Sequence, residues 1–248
     1  MELNELIASS KSAKVYKCNN KAIKVFEENY SKVDVLLEAL NTARVELTGL
    51  KLPSIQEVSC IDNQWAITMD YIEGTTLAHE LKEHPDKKEE YISKMVDLQL
   101  EIHSKRSPLL NKLKDKIKGQ IQSLTCLDDI KKYELLTRLD GMPKHIKICH
   151  GDFNPRNIIV NGDKLYTLDW IHASQGNASA DVARSYLLFA LEDISLADLY
   201  LDTFCNKTET QKAYVQQWLP IVAAAQLTKN KPEERELLLH WLDVVDYE

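Results

Sequence analysis

The sequence carries no surplus of positive charge. Its 31 Lys and Arg stand against 38 Asp and Glu, a formal net charge of -7, and the pI is about 5.6. This balance argues against a general binder of nucleic acid or anionic membrane, because both surfaces need clustered cations. Long apolar runs are missing too: the best of them, WLPIVAAAQL, is short and interrupted by Pro220. The opening stretch MELNELIASSKSAKV has neither the cationic flank nor the apolar centre of a secretory signal. Neither a signal peptide nor a membrane span is expected, and the chain reads as a cytoplasmic protein. Five cysteines, Cys18, Cys60, Cys126, Cys149 and Cys205, are odd in number and scattered, with no Cys-x-x-Cys pair. They read as reduced thiols rather than a disulfide framework or a metal knuckle. Internal repeats and low-complexity linkers are also lacking.

What is present is enough apolar material for a core. With 248 residues at 44% hydrophobic content, the chain can form one large domain or two small lobes. Two regions differ in periodicity. Up to about residue 72, the segments AKVYKC, KAIKVF, SIQEVSC and QWAITMDYI read as neighbouring strands of an antiparallel sheet. One helix interrupts them, SKVDVLLEALNTARVEL, in which Val35, Leu36, Leu40 and Val45 recur at helical spacing and Ser31 stands ready as a cap. After EGTT, helical patterns dominate: KEEYISKMVDLQLEIHSK, LNKLKDKIKGQIQSL, CLDDIKKYELLTRL and three more from Asp181 onward. The predicted division is residues 1–72 and 73–248.

One stretch breaks the helical half. IKICH and NIIV read as short strands flanking the polar turn GDFNPR, and KLYTLDW follows after the tight turn NGDK. Asp152 and Asn157 lie five residues apart, and Asp169 ends the next apolar strand twelve residues further on. This is the order in which kinase-type phosphoryl-transfer sites place a catalytic Asp, a metal-binding Asn and a metal-binding Asp. The residue types suit that chemistry. A carboxylate can accept the proton of a substrate hydroxyl, while an amide carbonyl and a second carboxylate are hard oxygen ligands for Mg²⁺. Asp152 is the candidate proton acceptor, with Asn157 and Asp169 as candidate metal ligands. Taken singly, Asp152 and Asn157 are ordinary turn formers beside Pro155, and Asp169 an ordinary strand-end residue. The combination of order, spacing and flanking strands favours catalysis.

The segment HGDFNPRNIIVNGDKLYTLDWIHASQGNASADVARSYLLF resembles the core of the aminoglycoside phosphotransferase and choline kinase family. Its signature runs H-G-D-x-x-x-x-N, an Asp followed by Trp, then G-x-x-x-x-D before a helix. Here it is met by His150 to Asn157, by Asp169 with Trp170, and by Gly176 with Asp181. The resemblance implies an α+β, bilobal protein-kinase-like fold, with a small antiparallel β N-lobe carrying one helix and a larger, mostly helical C-lobe. It also implies ATP and Mg²⁺ as the nucleotide and metal. Residues 1–72 would bind nucleotide, and residues 73–248 would carry the catalytic loop and substrate site. Asp181 and His150 would support the loop rather than touch substrate. The phosphate-binding cation and its acidic partner would be Lys24 and Glu38, with Lys21 and Lys32 as rivals. ITMDYIEG resembles the segment joining the lobes, where the carbonyl of Asp70 and the N–H of Ile72 would hold adenine. The first turn, IASSKSAKVYKC, departs from the protein-kinase pattern because it has no glycine to let backbone N–H groups approach phosphate closely. Ser9, Ser10 and Ser12 are the donors it offers instead.

The implied acceptor is a small molecule with a hydroxyl, such as an amino sugar or amino alcohol. The helical insert carries Lys112, Lys114, Lys116 and Lys118, which read mostly as a solvated face. The C-terminus holds Glu233, Glu234, Glu236, Asp243, Asp246 and Glu248 with Trp241 and Tyr247 interleaved. Such a wall suits an amine or quaternary ammonium acceptor, and it is equally what a solvent-facing tail contains. A protein-kinase role is disfavoured because no extended activation segment with an A-P-E element follows Asp169. The competing function is a nucleotide-binding pseudokinase; the full set Asp152, Asn157 and Asp169 favours the enzyme.

Overall fold

A computed structural model describes residues 5–242. In chain order its elements are β1 (Glu5–Ser9), β2 (Ala13–Cys18), β3 (Lys21–Phe26), α1 (Lys32–Glu46), β4 (Ile55–Ile61), β5 (Gln64–Asp70), β6 (Thr75–Thr76) and α2 (Leu77–Glu83). Then come α3 (Lys88–Ser104), α4 (Leu113–Ser123), α5 (Asp129–Gly141), β7 (Lys147–Cys149), β8 (Ile158–Asn161), β9 (Lys164–Thr167) and β10 (Ser174–Gly176). The last are α6 (Ala178–Ala190), α7 (Ile194–Thr208), α8 (Lys212–Gln216), α9 (Leu219–Leu227) and α10 (Pro232–Leu242). The fold is α+β and protein-kinase-like, with an antiparallel sheet in the N-terminal region and a mostly helical remainder. Two compact units form: one takes the described residues up to His84 together with Pro155–His172, the other Pro85–Asn154 and the described residues from Ala173 onward. These packing units are drawn differently from a division after residue 72, because β6 and α2 follow that point and the β8–β9 hairpin pairs with β6 and packs on α2. No helix among the described residues is long and apolar enough to cross a membrane.

In the first unit, five antiparallel strands lie in the order β1-β2-β3-β5-β4. Strand β3 explains the sheet's stability. Phe26 packs with Ala13, Val35, Ala39 and Ile67, while Ile23 and Val25 pack with Ala66 in a separate cluster. Replacing a side chain such as Phe26 by Ala would cost about 3–5 kcal/mol. Strand β1 is not evident in the sequence because all five of its residues are exposed, so no alternation marks it. Helix α1 starts where expected, with Ser31 Oγ accepting from the Asp34 N–H at 3.3 Å. Its buried face differs from the apolar pattern: Val35 and Val45 are buried, but Leu36 and Leu40 are 45% and 47% exposed while Glu38, Asn41 and Thr42 face inward. Polar work on the packed face explains the mismatch. Asn41 Nδ2 donates to the Ile171 carbonyl at 3.1 Å, and Glu38 meets Lys24.

Strands β6, β8 and β9 form a second small sheet in this unit, and β7 pairs instead with β10 in the other unit. The strands on either side of GDFNPR therefore belong to different sheets. In the helical unit five helices, not three, follow Gly176 among the described residues. Pro220 does not break its segment. It sits in the first turn of α9, where its missing N–H has no intrahelical partner to lose. Every residue of α9 is buried, which accounts for an all-round apolar sequence too short to span a membrane.

Gly74 has a φ of +131°, and a Cβ there would lie 2.0 Å from the Val160 carbonyl oxygen. That close approach lets β6 pair with β8. Gly74→Ala should destabilise the protein by about 2 kcal/mol or more. Urea unfolding measures this, and an unchanged midpoint would contradict the close approach.

Candidate active site

In the first unit, three charged residues from distant parts of the chain converge. Lys24 on β3 extends its amine to Glu38 of α1 at 2.6 Å and to Asp169 at 3.7 Å. Burial works against the Lys24 cation, yet Asp169 and Glu38 outweigh it and hold the pKa above its ordinary value. Lys24 is therefore charged throughout the physiological range. Its rivals are placed elsewhere: Lys21 is exposed, and the Lys32 amine sits over the Trp65 ring, 4.9 Å from its centroid.

Asp169 follows β9 in a left-handed conformation, φ +61°. For a residue other than Gly this is an uncommon conformation that clusters at functional sites. Its Oδ1 is buried and accepts no hydrogen bond. Asn157 lies at the same end of the β8–β9 hairpin. Ile158 pairs with Thr167, and the Leu168 N–H donates to the Asn157 carbonyl at 2.9 Å. Among the described residues no three His, Cys, Asp or Glu side chains converge as a metal-holding group. A cation at Asp169 would thus find one carboxylate, with Asn157 at the same end of the hairpin as the candidate second oxygen ligand, a hard-oxygen set that would suit Mg²⁺ completed by phosphate and water. The Asp169 Oδ1, which no hydrogen bond occupies and which the Lys24 amine faces at 3.7 Å, fits that role.

The end of β5 carries Asp70, whose N–H donates to Ser54, while the Tyr71 N–H donates to Asn20. Ile72 is half-buried just beyond. In the β1–β2 turn, the Ser10 hydroxyl accepts from the Ala13 N–H at 3.1 Å and donates to the Ala13 carbonyl at 3.1 Å. Ser10 thus closes its own turn, leaving backbone N–H groups as the better candidates for a phosphate.

In the second unit, the loop after β7 is organised around one buried carboxylate. Asp181 on α6 accepts from the Gly151 N–H at 2.7 Å, the His150 N–H at 3.2 Å, His103 Nε2 at 3.0 Å and Gln99 Nε2 at 3.4 Å. Burial alone would raise its pKa. The hydrogen bond and charge of His103, with the Gly151 N–H and His150, overcome burial and lower it. Gly151 has φ +79°, a conformation glycine adopts without strain. The next residue, Asp152, is half-buried, its N–H donating to His150 Nδ1 at 3.3 Å and its carboxylate accepting from Asn154 Nδ2 at 3.3 Å.

The structure thus joins Lys24, Glu38 and Asp169, and sets Asn157 beside the Asp169 strand end. Asp152 belongs to the other unit, because the signature itself passes from one to the other between Asn154 and Pro155. Sequence reasoning missed Gln99 and His103. Both are buried on α3, four residues apart on a stripe otherwise made of Ile92, Met95, Val96 and Ile102, and a polar pair at i, i+4 on an apolar face is the signal that was available. The lysine insert also departs from a solvated face. Lys112 and Lys118 are exposed, but Lys114 donates to the carbonyls of Asp140 and Met142, and Lys116 is half-buried. In the acidic C-terminus, Asp243, Asp246, Tyr247 and Glu248 lie outside the described residues. Glu234 accepts from Lys231 and Gln226, and Trp241 stacks on Tyr186.

A profile described as the phosphotransferase enzyme family (APH) matches residues 54–218. Protein LicA of Haemophilus influenzae is 30% identical over 67 residues, which are 25% of this chain and 23% of LicA. The chain therefore matches less than a quarter of that protein's length. Among solved structures, a thermostable aminoglycoside phosphotransferase APH(4)-Ia variant in ternary complex with ADP and hygromycin B superposes with a TM-score of 0.70 at 10% identity, over 95% of this chain and 89% of that one. A choline/ethanolamine kinase family protein from Mesorhizobium loti gives 0.64 at 13% identity, over 100% and 83%. Amicoumacin kinase hAmiN, in complex with AMP-PNP, Ca²⁺ and Ami, gives 0.63 at 10% identity, over 95% and 85%. These structural likenesses establish a shared fold.

The lowered pKa of Asp181 fixes the sign of a pH effect. Its stabilisation is fully present above the unfolded value of about 3.9 and is lost as pH falls through the lower folded value. Asp181→Asn should lose about 1–3 kcal/mol at pH 7, with the gap to wild type narrowing under acid. Urea unfolding from pH 7 down to pH 3 tests this, and a pH-independent gap would contradict it.

Proposed function

The chain belongs to the phosphotransferase enzyme family, and on that premise we propose that it transfers the γ-phosphate of ATP to a hydroxyl of a small molecule. The convergence of Lys24 on Glu38 and Asp169 carries this reading. A half-buried lysine held charged by Glu38, with Asp169 beside it to take a metal ion, is arranged to contact phosphate oxygens once that metal offsets the second carboxylate. In the proposed assignment, Lys24 contacts the nucleotide phosphates and Glu38 orients it. The Asp70 carbonyl and Ile72 N–H hold adenine, and Asn157 and Asp169 hold Mg²⁺. The bound metal would neutralise charge on the phosphate oxygens. Asp152 accepts the acceptor's hydroxyl proton as that oxygen forms its bond to the γ-phosphorus and the bond to the ADP oxygen breaks. Residues 1–72 would be the nucleotide lobe and 73–248 the lobe of catalytic loop and substrate. The five free cysteines favour a reducing, cytoplasmic setting.

The pseudokinase alternative predicts nucleotide binding without transfer, and Asp152 separates the two. Asp152→Asn should still bind ATP, since the amide is nearly isosteric and Asp152 is not a proposed metal ligand. Turnover should fall by about 100-fold or more, the scale of a lost general base. Steady-state transfer paired with ATP calorimetry measures both, and a variant that binds ATP and transfers at the wild-type rate would overturn the assignment. Asp169→Asn should instead weaken Mg²⁺-dependent ATP binding itself, which the same calorimetry reads. Binding unchanged by this substitution and by chelation would reject the metal role.

A further inference from the structure

Helix α1 is apolar on two faces, and packing within the chain uses one of them. Val35 and Val45 are buried on the inner face, where Glu38 and Asn41 make their polar contacts. On the outer face Val33, Leu36, Leu40, Ala43 and Leu47 are all exposed. Val33 is 72% and Leu47 84% exposed, and Leu36 and Leu40 are nearly half open. Apolar residues scattered singly over a surface are ordinary, whereas a contiguous stripe marks a contact. The steps along this stripe are three, four, three and four residues, the a/d repeat of a helix that packs against another helix.

The charges flanking the stripe favour a second copy of the same helix as its occupant. Lys32 and Asp34 stand at the N-terminal end, Arg44 and Glu46 at the C-terminal end. Two copies can pack antiparallel about a two-fold axis, with Leu36 of one against Leu40 of the other and Val33 against Ala43. Lys32 then comes level with Glu46 of the second copy and Asp34 with its Arg44, and symmetry makes each pair twice. The helix dipoles also oppose in this arrangement. Parallel pairing in register would instead set each of these charges beside its like. Within its own chain the Lys32 amine lies over Trp65, and Glu46 accepts from the Ser54 hydroxyl, so the attraction between copies adds to contacts already made. An anionic membrane suits this face poorly, because its flanking charges balance instead of summing to a basic edge.

We propose that the outer face of α1 is a self-association surface on which two copies of this chain pair through antiparallel α1 helices. The inference stands independently of the phosphotransferase reading. A free helix of 15 residues would first have to fold before it could pair, but α1 is already held by its inner face. Its length is about 22 Å, and a seam that short buries less than the roughly 800 Å² per partner of a standard interface. The dimer is therefore a weak one whose population follows protein concentration.

Sedimentation velocity of the full chain from about 5 µM to about 500 µM, the range in which a small interface associates, should show the mass rising from that of one chain toward that of two. Leu36→Glu and Leu40→Glu, both at exposed positions, should each weaken association about tenfold or more by placing unpaired carboxylates in the seam. Circular dichroism checks that the variants are folded. Arg44→Glu supplies an independent reading should either fail: it faces Asp34 of the second copy with a like charge and should weaken association by a similar factor, and adding Asp34→Arg should restore it. The inference is overturned if the wild-type chain stays monomeric throughout, or if the folded leucine variants associate as wild type does. An Arg44→Glu variant that associates normally, or one that Asp34→Arg does not rescue, would overturn the antiparallel pairing.

Discussion

The buried carboxylate of Asp181 is the constraint on which the loop carrying Asp152 depends. An ionised carboxyl removed from water carries a penalty of several kcal/mol unless it is fully hydrogen-bonded. Here two of its donors are the consecutive main-chain N–H groups of His150 and Gly151, and two are the side chains of His103 and Gln99. Satisfying Asp181 therefore fixes the backbone immediately before Asp152, and it ties α3 and α6 to the end of β7. Gln99 is itself held by the Tyr200 hydroxyl, so the network reaches α7 as well. A charge that would destabilise a core by itself becomes a device for setting one loop in one conformation.

Lys24 applies the same logic in the other unit. It is held charged by Glu38 and Asp169, and Asn41 on the same helix as Glu38 binds the Ile171 carbonyl two residues beyond Asp169. Helix α1 is thus positioned by polar contacts on its packed face, with Leu36 and Leu40 turned outward. The buried polar residues of α1 occupy the face that an apolar stripe would otherwise own. On α6, Arg184 is committed to the Gly151 carbonyl through its Nε.

This placement explains what could and could not be read from the sequence. Strands β2 to β5 and helix α1 were legible because their apolar residues and the Ser31 cap mark them locally. Strand β1 was not, since an edge strand with all residues exposed has no alternation to detect. The Lys24 and Glu38 pairing followed from family layout rather than periodicity, and the geometry brings those side chains to 2.6 Å. Gln99, His103 and Arg184 stayed hidden for a different reason. Each looks like an ordinary helix residue until tertiary packing aims it at the loop. Pro220 misled in the opposite direction, since a proline in the first turn of a helix reads as a break only when the helix start is unknown.

The central claim is that the γ-phosphate of ATP ends on an alcohol oxygen. Phosphorus NMR of the purified protein with ATP, Mg²⁺ and a panel of hydroxyl compounds follows every phosphorus species at once. The account predicts that the γ-phosphate signal falls as ADP and a new phosphomonoester signal rise in equal amounts. A γ-phosphate that stays intact with every acceptor, or one that appears solely as inorganic phosphate, would contradict it.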